Sequence, residues 1–248
     1  MNINQIAIQL WTLRDYCQTA ADLAATCKKL RAMGFSAIEL GGLGPIPLPE
    51  VRSIADGEGL AITSMYVGIK EPEKAIQDLN TIGASYAMTS VGQCPAPADL
   101  DRWLADLEVA GPVFEKAGKT LCYHNHAHEF FRLDGKPFLQ TIYERANPAY
   151  LQAELDTYWV QIGGGNPVQW CERLKNRLPL LHMKDFAVAL DGTARFAEVG
   201  HGTLDFKAIV AAASECRWYI VEQDECYGND PFDSVCKSIE YIKANLVG

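Results

Sequence analysis

Three observations predict an α/β fold, a single (β/α)8 barrel. Short apolar runs alternate with stretches patterned for helix, which is the signature of parallel strands joined by crossover helices. Eight such pairs can be counted, and they fill 248 residues, the usual size of such a barrel at about 250 residues. A doubly wound open sheet is the competing architecture, and it requires a glycine-rich phosphate turn after its first strand. The segment in that place, Trp11-Thr12-Leu13-Arg14, contains no glycine. The run Gly163-Gly164-Gly165 comes later and lacks the Lys and Ser/Thr of a nucleotide-binding loop. One domain over residues 1–248 is expected.

Taken in order, residues 6–10 form the first strand, and Trp11, Thr12 and Arg14 lead to a helix from about Thr19. That helix carries Leu23, Cys27 and Leu30 at helical spacing and stops at Gly34, where a left-handed cap favours glycine. Residues 37–40 are the second strand, and Pro49 opens a helix that closes near residues 57–59. The third strand covers residues 60–67, and Pro72 suits the first turn of a helix reaching Gly83. Residues 86–90 are the fourth strand, followed by a helix over residues 98–117 with Trp103, Leu104 and Leu107 on one face.

The fifth strand begins TLCYHNHAHEFF at Thr120 and is followed by a helix over residues 138–146. Residues 151–157 are the sixth strand, and Asn166 with Pro167 provides a cap and first turn for the next helix. The seventh strand, residues 179–183, runs into a long loop with an Asp191-Gly192 turn. Asp205 caps a helix over residues 208–213, residues 218–222 are the eighth strand, and the last helix covers residues 231–246.

Composition narrows the function. With 48% hydrophobic residues the chain can bury a large core. No apolar run approaches the ~20 residues of a membrane span, and no basic-then-apolar leader precedes the first strand. Eight cysteines (Cys17, Cys27, Cys94, Cys122, Cys171, Cys216, Cys226 and Cys236) stand singly without a CxxC pair. They predict reduced thiols in a cytoplasmic protein. A net charge of −9 argues against nucleic acid and anionic membranes as partners and leaves small-molecule work.

Barrel chemistry sits at the C-terminal strand ends, where the strand-to-helix loops converge. The polar residues there are Glu39, His124 and His126, Asp156, His182 and Glu222. If residues 120–131 continue as a strand, His124, His126 and His128 share one face and Tyr123 and Asn125 the other. A lone carboxylate after an apolar run is usually a helix cap or turn residue. Asp, His and Glu from adjacent strands at one mouth instead make a mixed nitrogen and oxygen site for Mn²⁺, Co²⁺, Mg²⁺ or Zn²⁺. Strand parity puts Lys184 on the face of His182, toward substrate, while Asp185 reads as a surface partner or a support for the imidazole. Glu198 and His201 flank a glycine turn over the mouth, and Trp11, Tyr158 and Trp159 would wall it.

The pieces IQLWTLRD, YHNHAHEF, LDTYWVQIGGGNPV, LLHMKDF, EVGHGTLDF and IVEQD, in this order, resemble the sugar phosphate isomerase/epimerase family of the xylose isomerase-like TIM barrel superfamily. The resemblance covers essentially the whole chain. It implies one divalent metal ion, commonly Mn²⁺, held from strands five to eight and chelated by adjacent oxygens of a carbohydrate substrate. Asp156, His182 and Glu222 match the last three ligand positions. Relatives such as ketose 3-epimerases and dehydroshikimate dehydratases have a glutamate at the first, where His124 stands here and Glu129 is the rival. The implied reaction is isomerisation or epimerisation by proton abstraction beside a carbonyl, through a metal-stabilised enediolate. Glu222 would be the base, His126 or Glu129 the acid on the other face, and Lys184 a substrate contact. An acid and base of unlike type fit elimination or hydration of keto-sugars or keto-inositols as well. An apurinic-site endonuclease and a non-catalytic sugar-binding barrel are the remote readings. Family members are often dimers or tetramers, which extends the expectation to a homo-oligomer.

Overall fold

The computed structural model describes residues 1–92 and 96–248; Cys94 lies outside them. Eight parallel strands form a nearly closed barrel: β1 (Ile6–Gln9), β2 (Ala37–Leu40), β3 (Ala61–Met65), β4 (Tyr86–Thr89), β5 (Thr120–His124), β6 (Gln152–Asp156), β7 (Leu180–Met183) and β8 (Trp218–Val221). β1 pairs with both β2 and β8, so the two ends of the chain close the ring. Among the described residues β3 and β4 meet at a bridge between Tyr66 and Met88. This is a TIM barrel.

The helices around it are α1 (Ala20–Met33), α2 (Leu48–Gly57), α3 (Pro72–Ile82), α4 (Pro97–Lys116), α5 (Phe138–Arg145), α6 (Thr157–Ile162), α7 (Pro167–Arg173), α8 (Phe206–Ala212) and α9 (Pro231–Asn245). Their starts follow capping chemistry, because orphan N–H groups need an acceptor. Thr19 accepts from the Asp22 N–H, Asn166 from Gln169 and Asp205 from Ala208. Gly34 ends α1 in the left-handed conformation at φ 99°. Among the described residues no helix is long and apolar enough to cross a membrane, and the seven described cysteines are free.

Side chains alternate along a strand, so residues two apart share the barrel interior. Ala7, Ala37, Cys122, Leu180 and Ile220 form one buried interior cluster. Two positions further along the same strands come Gln9, Glu39, His124, His182 and Glu222. An apolar floor therefore carries a polar layer at the mouth. β6 departs from this pattern, with Glu154 beside Leu180 in register and Asp156 beside His182.

The structure corrects three expectations of the fold. β5 stops at His124, and His128–Phe130 is a short 3-10 helix, so His126 and His128 do not extend the strand row. The residues after β1 form a 3-10 segment, Leu10–Tyr16. The loop after β7 is a hairpin of Asp185–Val188 with Ala194–Ala197, turning at the expected Asp191-Gly192. Within the triple glycine, Gly163 and Gly165 pack against Phe130, whose ring occupies the place of a Cβ at Gly163 and contacts that of Gly165.

Candidate functional site

His124 at the end of β5, Asp156 at the end of β6, His182 on β7 and Glu222 just after β8 converge, with one ligand atom from each inside a mutual 4.8 Å. His182 Nδ1 is 2.9 Å from Glu222 Oε2 and 3.8 Å from Asp156 Oδ2. His124 Nε2 is 3.5 Å from Asp156 Oδ2; both atoms are buried and neither makes a hydrogen bond of regular geometry. Buried polar atoms are nearly always paired, so an imidazole nitrogen that has no partner and faces a carboxylate oxygen 3.5 Å away marks a place for a bridging group. The fold brings them there through ordinary local rules. Asp156 Oδ1 caps α6 by accepting from Trp159 N at 3.0 Å, which turns Oδ2 toward the mouth. Asn125 Oδ1 accepts from Asp156 N at 3.0 Å and ties β5 to β6.

Lys184 Nζ, on a side chain 1% exposed, lies 3.1 Å from Asp156 Oδ2, 2.7 Å from Glu222 Oε2 and 3.0 Å from Asp224 Oδ1. Burial works to lower its pKa, and the three carboxylates outweigh that and raise it. Burial likewise pushes Glu222 up, but Lys184 and His182 hold it well below the usual carboxylate range. Asp224 is raised to about 6 by burial and by Glu222. Burial works to lower His182, while Glu39 and Glu222 hold it well above the ordinary histidine value. The lysine also lies over the rings of Trp159 and Phe196, at 5.3 and 5.6 Å, and Phe196 stacks on Tyr158 at 4.1 Å. This aromatic wall closes one side of the mouth; Trp11 stands exposed on another loop.

Glu129 is not in this cluster. Its carboxylate accepts from Tyr123 OH at 3.0 Å and from His126 N at 2.8 Å, and His128 Nε2 is 3.3 Å away. His126, His128 and Glu129 make a second group. The His126 ring lies 4.9 Å from that of His124 and 5.7 Å from Trp159. Burial and His124 press its pKa down to about 4. Asp185 accepts from the backbone N–H groups of Phe186, Gly200, Gly202 and Leu204, so it anchors a loop and does not support the imidazole. Glu198 bonds Ser234 and Lys237, and His201 packs near Tyr241.

Beneath the mouth, His182 Nε2 is 2.7 Å from Glu39 Oε1 and 3.2 Å from Glu154 Oε1. Sequence reasoning placed Glu39 at a strand end and missed Glu154, although strand parity two residues before Asp156 points to it. Asp224 was findable by the same parity from Glu222. Phe196 was not, because it arrives on a hairpin that no spacing marks.

The fold and this cluster define an α/β barrel with a mixed imidazole and carboxylate centre at its mouth. The chain belongs to the xylose isomerase-like TIM barrel family, whose sequence model matches residues 27–244. A sugar phosphate isomerase/epimerase from Parabacteroides distasonis shares the fold, with TM-score 0.82, 24% identity, and coverage of 97% of this chain and 94% of that one. L-ribulose 3-epimerase is similar at TM-score 0.77 and 14% identity, covering 99% and 95%. The probable 3-DHS dehydratase of Bacillus anthracis is similar at TM-score 0.74 and 13% identity, covering 96% and 98%. No curated protein matches the chain in sequence.

Proposed function

We propose that the protein is a divalent-metal-dependent isomerase or epimerase of a sugar or keto-sugar, acting by proton transfer beside a carbonyl. The observation that carries this reading is the four-residue cluster, in which the buried His124 Nε2 has no hydrogen-bond partner and faces Asp156 Oδ2 at 3.5 Å. Two imidazoles and two carboxylates suit Mn²⁺, Co²⁺, Mg²⁺ or Zn²⁺, and the family resemblance favours Mn²⁺. His124 is the strand-five ligand in this reading, because Glu129 is held by Tyr123 and His126 instead. When bound, the metal supplies Lewis-acid polarisation of the substrate carbonyl.

The other steps belong to side chains. Glu222 takes the proton, and Lys184, 2.7 Å from it, keeps that carboxylate ionised and stands beside the negative charge that develops. His126 serves the opposite face, held by its backbone bond to Glu129. A lyase on keto-sugars is the second reading. The cluster contains one glutamate rather than two, so acid and base are of unlike type, and a probable dehydratase shares the fold.

Metal analysis of the purified protein beside Asp156→Ala, His182→Ala and Glu222→Ala tests the central claim. One equivalent in the wild type and loss in each variant is expected; full metal content in all three variants sinks it. Incubation with ketoses in D2O, read by NMR, separates the outcomes. Exchange at the carbon beside the carbonyl without loss of water supports the isomerase, and release of water or a leaving group supports the lyase.

A further inference from the structure

His182 is held from two sides. Its Nδ1 faces the mouth, while its Nε2 faces the barrel interior and meets Glu39 and Glu154, at 2.7 and 3.2 Å. Both glutamates are completely buried and come from different strands, β2 and β6. Glu39 is fixed in its own right: Gln9 Nε2 donates to Oε1 at 2.7 Å, and the Ser64 hydroxyl donates to Oε2. Neither oxygen of Glu154 has a hydrogen-bond partner of regular geometry; its polar neighbours are His182 and the Glu39 carboxyl, and burial beside Glu39 raises its pKa well above the usual carboxylate range. Carboxyl groups at this depth are costly, by several kcal/mol each even after relaxation. A barrel interior is ordinarily filled with branched apolar side chains, and Leu180 stands in register with Glu154. Two glutamates converging on one ring nitrogen need a function that packing does not supply.

We propose that Glu39 and Glu154 are positioning residues for the candidate metal centre, jointly taking the Nε2–H of His182 so that Nδ1 presents its lone pair to the mouth. The inference rests on reading His124, Asp156, His182 and Glu222 as a metal centre. A ligating histidine generally donates its second ring N–H to an acceptor that fixes the tautomer and ring orientation, and loss of that acceptor weakens the metal. Two features are particular to this chain. The acceptor is divided between two carboxyl groups, and Glu39 is itself braced by Gln9 and Ser64 across neighbouring strands. Glu39 therefore sets the ring angle, and Glu154 supports it.

The test is titration with Mn²⁺, by calorimetry, and with Co²⁺, by its visible absorption, on the metal-free wild type and on Glu39→Gln, Glu154→Gln, the double variant and Ser64→Ala. Glutamine keeps the shape and replaces the carboxyl group with an amide. Glu39→Gln is expected to weaken Mn²⁺ roughly 10–100-fold and to shift the Co²⁺ spectrum. Glu154→Gln and Ser64→Ala should move both readouts in the same direction by less. Because the two glutamates act through one N–H, the double variant should fall short of the product of the single effects. A wild type that binds neither ion overturns the proposed function and this inference with it. A wild type that binds, together with Glu39→Gln and Ser64→Ala proteins of unchanged affinity and spectrum, overturns this inference alone. Multiplicative effects in the double variant refute the sharing between Glu39 and Glu154.

Discussion

An ammonium group with no access to water is ordinarily expensive, and Lys184 is tolerated because Asp156, Glu222 and Asp224 surround its nitrogen. The dependence runs the other way as well. Lys184→Met would leave three carboxylates facing one another, and breaking a buried set of this kind costs ~3–5 kcal/mol. Urea melts of the metal-free protein should show that loss, and saturating Mn²⁺ should recover part of it by replacing the missing positive charge. Equal stability of Lys184→Met and wild type without metal would show that the carboxylates are not all ionised. At this scale the sequence was informative where a residue follows an apolar run on its own strand. Asp156, His182 and Glu222 could be read that way, and so could His124. Glu129 could not be placed, because its position depends on a 3-10 turn and on a phenol from the strand before it.

Elements were legible to the extent that they obey their own period. The eight strands and their helices show the alternation of two and the spacing of 3.6 that burial imposes. Most boundaries fall within a few residues of expectation. The hairpin after β7 escaped, since its strands are four residues each and its anchor ties it to a turn further along the chain. That anchor is Asp185. It sits on the first hairpin strand and accepts from four backbone N–H groups, three of them in the turn at residues 200–204. Asp185→Ala should cost roughly 2–4 kcal/mol by leaving those donors unpaired. Hydrogen exchange should accelerate at Gly200, Gly202 and Leu204 before it does in the barrel strands. Protection that stays at wild-type levels would show that the turn holds itself. The triple glycine is a different case of illegibility: its role is to admit the ring of Phe130, a contact across more than thirty positions of sequence.

For the whole molecule, metal binding at the proposed centre would be coupled to folding. An ion held at a hundred times its dissociation constant adds about 2.7 kcal/mol to stability. Its effect should grow with pH, for a reason that His182 provides. Without metal, Glu39 and Glu222 hold the ring's pKa well above 6.5 against the downward pull of burial. The charged ring then contributes stability that is complete below about pH 6.5 and is lost as pH rises through the raised value. A metal bound at His182, as proposed, would have to expel that proton, so its affinity should rise across the same window. Melting temperatures with Mn²⁺ and with chelator should diverge as pH increases from 6.5, and binding heats should vary with the ionisation enthalpy of the buffer. Parallel curves and buffer-independent heats would rule out a proton on His182. Barrel closure, by comparison, was visible in the sequence only as a count of units; the pairing of β1 with β8 is a property of the finished ring.

The four converging side chains also impose a calendar on synthesis. His124 and Glu222 are 98 positions apart, and β8 is the last strand to be made. At roughly 5–20 residues per second, about 5–20 s separate the appearance of the first member from that of the last. Throughout that interval the nascent chain presents His124, then Asp156, then His182, with no complete set. In the proposed reading, a complete four-ligand site would therefore report that the final strand has inserted between the first and the seventh.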